Sequence, residues 1–161
     1  MKRKNNACLN SGLQVLIQGT KRQRKFRDFL VPQIKQKGDA GFDLFVTKNT
    51  VIPPGVHLAP TDIPSGICIK LPKNTVGEIW PRSSTYINYP MLRICSAPID
   101  ENYTGPLNPR FQNMGTEPVV VQRGERLAQL VIKPVRVPKV YIVEKLPKTN
   151  RGSKRYGSSG K

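Results

Sequence analysis

Short runs in which every second residue is hydrophobic occur along most of the chain. In GICIKL, residues 66–71, the side chains of Ile67, Ile69 and Leu71 fall on one side of an extended strand. Turn residues separate such runs, as in the Pro-Pro-Gly within residues 51–63. Similar short runs, typically about ten residues apart, occur elsewhere in the chain. They lie at 13–17, 40–46, 75–80, 91–99, 118–122, 127–132 and 139–145. The pattern predicts an all-β sandwich or barrel.

One stretch also admits a helical interpretation. Residues 123–132, RGERLAQLVI, have apolar positions that an amphipathic helix would share. A strand is favoured because Val131 and Ile132 suit extended chain and Gly124 starts a turn. The 15 prolines and 13 glycines of the chain also argue against long helices.

Length and composition fit one domain with a modest core. The chain has 161 residues, of which 37% are hydrophobic and 23% charged, a globular balance. No apolar run is as long as a membrane span, and no secretory signal follows the N-terminal charges. Cys8, Cys68 and Cys95 form no C-x-x-C pair. Reduced thiols in an intracellular protein, without membrane contact, are therefore expected.

The positive charge of the chain is concentrated near its two ends. The net charge is +17, and residues 1–27 contain eight lysines or arginines and no acid. Residues 139–161 contain seven basic residues and one acid. Such a surface suits an anionic partner, which composition leaves open between nucleic acid, a membrane surface and a phosphorylated small molecule.

Conventional catalytic sets are missing from the sequence. His57 is the single histidine and lies in a proline-rich turn, where a surface loop residue is the favoured interpretation. The H-x-E and C-x-x-C pairs of a zinc deaminase and the Walker loop do not occur.

Acidic residues are few, and Asp100 is the most informative of them. It follows an apolar run in SAPIDENYTG, residues 96–105, where a carboxylate at a strand end can hold and deprotonate a water. Tyr103 could lie flat against a sugar or a base. An ordinary turn with a half-buried tyrosine is the favoured interpretation of this stretch taken alone.

Three other stretches carry polar groups with a plausible function. Arg82 stands beside Ser83 and Ser84, and arginine with hydroxyls is a phosphate-binding combination, although a polar turn is the simpler alternative. Gln129 lies between apolar neighbours and needs a hydrogen-bond partner there, in the core or at a site. The glycine-rich end of the chain could wrap phosphate oxygens with its amides or be a solvated tail.

The order of these stretches is more specific than any one of them. It resembles the five motifs of the trimeric deoxyuridine triphosphatases (dUTPases) over nearly the whole chain, from residue 13 to residue 160. The matching stretches are DAGFDLF at 39–45, PRSS at 81–84, APIDENYTG at 97–105, RGERLAQL at 123–130 and RGSKRYGSSG at 151–160. The resemblance implies a jelly-roll-like dUTPase (β-clip) fold and a homotrimer with active sites between subunits. It further implies hydrolysis of dUTP to dUMP and pyrophosphate with Mg²⁺ held by the triphosphate and water, and no protein ligand to the metal.

Four residues acquire catalytic roles through this resemblance. Asp100 would orient and deprotonate the water that attacks the α-phosphorus, and Ser83 would lie near the scissile bridge. Gln129 would bind the α-phosphate region or its water. Asp43 would support the site by fixing Arg82 or the water network.

The resemblance also assigns substrate contacts. Arg82 and Ser84 would hold phosphates, and Tyr103 would pack on the deoxyribose and exclude a 2′-hydroxyl. The backbone of Ala97 and Ile99 would bond the uracil edge, a pattern that rejects cytosine because mispaired buried polar groups are costly.

The fifth motif implies a C-terminal arm, residues 148–161, that closes over the active site of a neighbouring subunit. Tyr156 would stack over uracil. The γ-phosphate would be gripped by the arginine and by backbone amides of the arm, at Arg151, Gly157, Ser158 and Ser159. The rest of the chain would form a basic extension, 1–12, and a dUTPase-like β domain, 13–147, with a basic loop at 18–38.

The chain departs from the family pattern at several positions. Ala97 and Pro98 stand where Gly-Val is usual, and Pro98 removes a backbone N–H. Pro106 and Pro109 fall where the family runs a strand, which weakens pairing there. One expectation is therefore a divergent member of the family, of eukaryotic or viral type, with weakened or altered nucleotide preference.

The basic clusters at 2–4 and 21–27 add a second expectation. They resemble a bipartite nuclear import signal and equally suit nucleic-acid binding or a solvated loop. The alternative function is therefore a catalytically weak trimer of the same fold that binds nucleic acid or a host protein.

Overall fold

The computed structural model describes residues 16–19, 32–150 and 152–153. Within them the chain forms short strands and one short helix. In chain order these are β1 (Leu16–Gly19), β2 (Gly41–Phe45), β3 (Thr50–Ile52), β4 (Thr61–Asp62), β5 (Ile67–Lys70), β6 (Thr75–Pro81), α1 (Ser83–Asn88), β7 (Leu92–Ile94), β8 (Arg110–Asn113), β9 (Val119–Val121) and β10 (Arg126–Pro134). The all-β prediction is confirmed.

The strands of the described residues form four small antiparallel sheets. The largest has the order β2-β10-β6, and the others are β1-β5, β3-β9 and β4-β8-β7. The register of the large sheet shifts between Arg126 and Ala128 of β10, so that the adjacent residues Leu127 and Ala128 are both buried. Such a bulge re-aims side chains where the strand begins.

In the part of the chain that the structure describes, two apolar clusters form the core. One surrounds Phe111 and Ile52, which are fully buried, and the other contains Ile67, Ile69 and Leu71, each at most 3% exposed. The alternation of residues 66–71 therefore correctly predicted which side chains face inward. Residues 126–134 are a strand, as favoured over the helix.

Two local predictions were wrong. Residues 139–145 form no strand, and Val140 and Ile142 are 89% and 100% exposed. A strand needs a neighbour for its backbone groups, and no described strand pairs with this segment. Residues 83–88 form the helix α1, where a polar turn was expected, and the Thr85 hydroxyl ties it to the Leu127 carbonyl at 2.7 Å.

The run at 91–99 forms a strand only at its start. Strand β7 ends at Ile94, and the chain then leaves its partner β8, which begins directly after Pro109. The weak pairing expected around Pro106 and Pro109 matches this opening of the hairpin. Across the described residues, no helix is long and apolar enough to cross a membrane.

Candidate active site

A cluster of one acid and two arginines lies where β2, β6 and β10 meet. Asp43 on β2 is 7% exposed, and its Oδ1 lies 2.7 Å from Nε of Arg82, the residue directly after β6. Its Oδ2 lies 2.9 Å from a terminal nitrogen of Arg126 on β10. One carboxylate thus holds two guanidinium groups, and the cluster keeps a net positive charge that suits a phosphate.

Gln129 stands beside this cluster on β10. In the sheet register it lies between Asp43 of β2 and Trp80 of β6. Gly41 leaves room for it, because a Cβ there would approach the Gln129 Oε1 to 2.8 Å. The Gln129 amide is 3.5 Å from the Pro81 carbonyl, a weak contact that leaves the side chain able to bind a ligand.

The chain around Arg82 is fixed from several sides. Its amide donates to the Leu127 carbonyl at 3.0 Å, and its guanidinium lies 3.3 Å from the Ser84 hydroxyl. Ser83 is exposed at the first position of α1. Arg82 and Ser84, with Arg126, line a cavity of about 220 Å³ between α1 and the start of β10.

Tyr89 and Glu125 support the far side of that cavity. The Tyr89 hydroxyl donates to the Glu125 carboxylate at 2.6 Å and so joins the end of α1 to the turn before β10. Burial, together with the hydrogen bond to the neighbouring carboxylate, raises the pKa of Tyr89 to about 12. The phenol therefore stays protonated at neutral pH and keeps its role as a donor.

A second cavity, of about 280 Å³, opens between the two arms of the hairpin that joins β7 to β8. Asp100, Tyr103, Ala97 and Ile99 line it. The arms separate because each pairs outward: the Ile99 amide donates to the Gly77 carbonyl at 2.8 Å, and the other arm pairs with β5. The structure therefore brings the predicted base and its neighbours to one cavity.

The Tyr103 ring is held at the mouth of this cavity. Its hydroxyl donates to the Pro106 carbonyl at 3.0 Å, and the side chain remains 42% exposed. A Cβ at Gly105 would lie 2.6 Å from Cζ of that ring. Only glycine at this position allows the ring to lie where it does.

The Ile99 backbone, predicted to bond the uracil edge, is already paired within the fold. Its amide and carbonyl both pair with Gly77, at 2.8 and 3.0 Å. The amide of Ile99 is therefore engaged in the sheet and is not a donor for a uracil edge. The Ala97 backbone carries no such described pairing, and the Ile99 side chain is a wall of the cavity.

The two groups of predicted site residues do not share a cavity in one chain. Gly77, which pairs with the hairpin, and Arg82 lie toward opposite ends of β6. Five residues of strand separate their Cα atoms by roughly 16 Å. Asp100 and Tyr103 are thus remote from Asp43, Arg82 and Gln129 within a single subunit.

Several predictions fall outside the described residues. Those of the arm are Arg151, Tyr156, Gly157, Ser158 and Ser159, and the basic clusters at 2–4 and 21–27 are outside as well. Within the part of the chain that the structure describes, no group of three His, Cys, Asp or Glu residues is placed to hold a metal ion.

Arg126 is the site residue that sequence reasoning missed. It was part of the fourth motif, but no role was given to it. The available signal was the scarcity of acids: a buried Asp43 within an apolar run needs cationic partners, and two arginines satisfy it.

Comparisons with known proteins agree with this architecture. The family model described as dUTPase matches residues 27–160. The deoxyuridine 5′-triphosphate nucleotidohydrolase of Caldanaerobacter subterraneus subsp. tengcongensis is 36% identical over 145 residues, which cover 87% of this chain and 95% of the relative. The protein of the same name from Rhodococcus erythropolis is 41% identical over 136 residues, covering 83% and 80%.

Solved structures show the same fold. The Staphylococcus bacteriophage 80alpha dUTPase, solved with dUPNHPP, matches with a TM-score of 0.73 and 25% identity over 91% of this chain and 98% of that chain. A phage phi11 dUTPase, described as revealing coordination of a structural Mg(II) ion, matches in fold with a TM-score of 0.68, 21% identity and coverage of 84% and 99%. The fold is thus the all-β fold of nucleotide hydrolases that act on a deoxyuridine triphosphate. The chain belongs to the dUTPase family.

Proposed function

We propose that the protein is a dUTP diphosphatase, which hydrolyses dUTP with one water to dUMP and pyrophosphate. The observation that carries the proposal is the hairpin cavity, in which Asp100 and Tyr103 meet in a chain of the dUTPase family. A cavity of about 280 Å³ is close to the lower end of the size range of small-ligand sites, and its wall contains an acid at a turn. The reaction would limit uracil in DNA and supply dUMP.

Asp100 acts as the general base in this proposal. Its carboxylate holds the attacking water and takes a proton from it as the oxygen bonds to the α-phosphorus. The bond from the α-phosphorus to the bridging oxygen breaks, and pyrophosphate leaves. Ser83 lies near that bridging oxygen, and Gln129 binds the α-phosphate or the water.

The arginine cluster supplies the charge for the phosphates. Arg82 and Ser84 bind phosphate oxygens, and Asp43 fixes the orientation of Arg82 through the 2.7 Å ion pair. We add Arg126 as a second positioning residue, because it holds the other oxygen of the same carboxylate.

Magnesium fits the proposal as a partner of the substrate. The described residues offer no cluster of metal-ligating side chains, so the oxygens of the triphosphate and water are the expected ligands. When bound there, Mg²⁺ neutralises phosphate charge. The protein's part is to place the phosphates against Arg82 and Ser84.

The nucleoside occupies the hairpin cavity. Tyr103 packs on the deoxyribose and leaves no space for a 2′-hydroxyl, and the backbone of Ala97 bonds to the uracil edge. From the arm, Arg151 and the amides of Gly157, Ser158 and Ser159 bind the γ-phosphate. Tyr156 stacks on the base when the arm closes.

A homotrimer explains two otherwise separate observations. The cavity with Asp100 and the cluster around Asp43 lie apart on one chain, so a complete site needs parts from different subunits. The segment 137–146 is also largely apolar and exposed in the isolated chain, with Val137, Val140, Ile142 and Leu146 each at least 78% exposed. Contact with another copy would cover these side chains, as oligomer interfaces do.

A binding role for the basic regions is the second candidate. The net charge of +17 and the replacement of the usual glycine by Ala97 favour it. The relatives that match give no support for nucleic-acid binding. We infer an intracellular protein, and nuclear import through the clusters at 2–4 and 21–27 remains part of this proposal.

The proposed function is tested by pyrophosphate release from dUTP, dCTP, dTTP and UTP with Mg²⁺. Release from dUTP is expected to fall about a hundredfold or more in Asp100→Asn, since a general base contributes at least that factor. Glu117→Gln, which changes an exposed acid after β8, is the matched control and should leave the rate unchanged. Absence of release from all four nucleotides would exclude the enzyme and leave salt-dependent DNA binding as the next measurement.

A further inference from the structure

The two ends of the hairpin cavity differ. At one end the arms are joined by the Cys95 amide, which donates to the Arg110 carbonyl at 2.8 Å. At the other end the chain turns at Asp100, whose carbonyl accepts from the Tyr103 amide at 3.1 Å. A nucleotide with its α-phosphate at Asp100 and its sugar on Tyr103 therefore directs its base toward Arg110.

Arg110 carries the positive charge among the described residues that line this cavity, and Asp100 carries the negative charge. Arg110 is the first residue of β8. Phe111 and Asn113 of the same strand point into the core, so the Arg110 side chain faces the opposite way. The side chain is about half exposed. Arg110 is thus the basic residue at the end of the cavity where we place the base.

Asp62 orients this guanidinium. The two residues are cross-strand partners of β4 and β8, and Nε of Arg110 lies 2.9 Å from Oδ1 of Asp62. That pair uses Nε, and the contacts among described residues engage neither terminal nitrogen of Arg110. Four of the five N–H donors of an arginine therefore stay free for a ligand.

We propose that Arg110 determines base specificity by donating a hydrogen bond to the 4-oxo oxygen of uracil. The inference rests on the proposed function, because it takes the base of dUTP as the occupant. Arginine has donors and no acceptor, so it bonds a 4-oxo group and repels the 4-amino group of cytosine. A polar site that matches one base rejects the other more strongly than an apolar pocket does.

Pro98 explains why a side-chain donor such as Arg110 would be needed at the base. A proline in the arm that faces the base has no N–H, and the Ile99 amide is engaged with Gly77. Two backbone donors near the uracil edge are therefore lost to the ligand. A charged side-chain donor from the opposite arm replaces part of what they would supply.

The test compares kcat/KM for dUTP and dCTP in the wild type, Arg110→Met and Arg93→Met. Arg93 is the matched control: an exposed arginine on β7 that is bound to the carbonyls of Pro90 and Leu92 and lies outside the cavity. Arg110→Met should lower the dUTP preference at least tenfold, through a higher KM for dUTP and a lower KM for dCTP, with kcat for dUTP little changed. Arg93→Met should keep the wild-type ratio.

A ratio for Arg110→Met within twofold of the wild type would overturn the inference. Arg110→Leu provides the same test if the methionine variant does not fold. If the wild type releases no pyrophosphate, the proposed function fails independently of Arg110. Calorimetry then measures the binding of dUMP and dCMP to the wild type and to Arg110→Met. Preference for dUMP that disappears in Arg110→Met would support the role, and equal binding of both would refute it.

Discussion

Arg82 and Asp43 are joined by a 2.7 Å ion pair across the largest sheet, although 39 positions separate them in the sequence. The carboxylate comes from an apolar strand, and the arginine directly follows another strand. Arg126 completes the arrangement from the strand between them. The side chains that we propose to bind phosphate are thus held by the sheet before any ligand is present.

Asp43→Asn should weaken both stability and catalysis. The asparagine leaves two partly buried guanidinium groups without their carboxylate, and the free energy of unfolding should fall by about 1–3 kcal/mol. KM for dUTP should also rise, because Arg82 loses its orientation. Urea denaturation at a fixed protein concentration measures the first effect, and steady-state kinetics measures the second.

Asp62→Asn is the matched control for stability in that experiment. It removes the carboxylate of an ion pair whose side chains are 53% and 58% exposed, and such a pair contributes about 1 kcal/mol or less. Equal losses of stability in the two variants would contradict a special role for the Asp43 cluster.

Gly105→Ala should disturb the proposed sugar site at Tyr103. The added methyl group overlaps the Tyr103 ring, so the ring must move. A displacement near 1 Å at a site can cost up to about a hundredfold, and we expect kcat/KM for dUTP to fall and discrimination against UTP to weaken. Tyr103→Phe keeps the ring, loses only the hydrogen bond to Pro106, and should retain the discrimination.

Ionisation of Tyr89 should lower the free energy of unfolding at alkaline pH. Its pKa is about 12 in the folded protein and near 10 when unfolded, so the folded state retains a proton that the unfolded state releases. The stabilisation by this group is complete below pH 10 and is lost as the pH rises toward 12. The advantage of the wild type over Tyr89→Phe, measured by urea unfolding, should therefore shrink from pH 9 to pH 11; an advantage that stays constant would rule this out.

Ile142→Asp should lower the affinity between subunits and leave the single chain intact. The side chain is fully exposed in the isolated chain, where an aspartate costs little. In a trimer that covers this segment, the charge would be buried at an interface, at a cost. Sedimentation equilibrium should show dissociation for this variant and not for Val56→Asp, a half-exposed loop position. Trimers of equal stability in the two variants would contradict a place for segment 137–146 in the interface.

The alternation of apolar residues was sufficient to predict most strands. It also gave the inward side of residues 66–71, because period two is a local property of extended chain. The same signal failed at 139–145, where the pattern is present and no described strand pairs with it. A single sequence shows that a segment favours the extended conformation. It does not show whether another strand will pair with that segment.

The candidate site was predictable in its parts and not in its arrangement. Asp100 and Tyr103 stand three positions apart, so their meeting in one cavity follows from a local turn. The pairing of Asp43 with Arg126 depends on the order of strands in the sheet, and the opening of the hairpin depends on Gly77 of β6. These long-range pairings decide that the Ile99 backbone is engaged with Gly77, while both Ala97 and the Ile99 side chain line the cavity.

Trp80 offers an optical readout of the site. It is the single tryptophan of the chain, lies in register with Gln129, and is about half exposed, with its Nε1 bound to Glu78. Indole emission from the unmodified protein therefore reports one position, two residues before Arg82. A blue shift on nucleotide addition would signal that water has been displaced there, so that binding can be followed without a label.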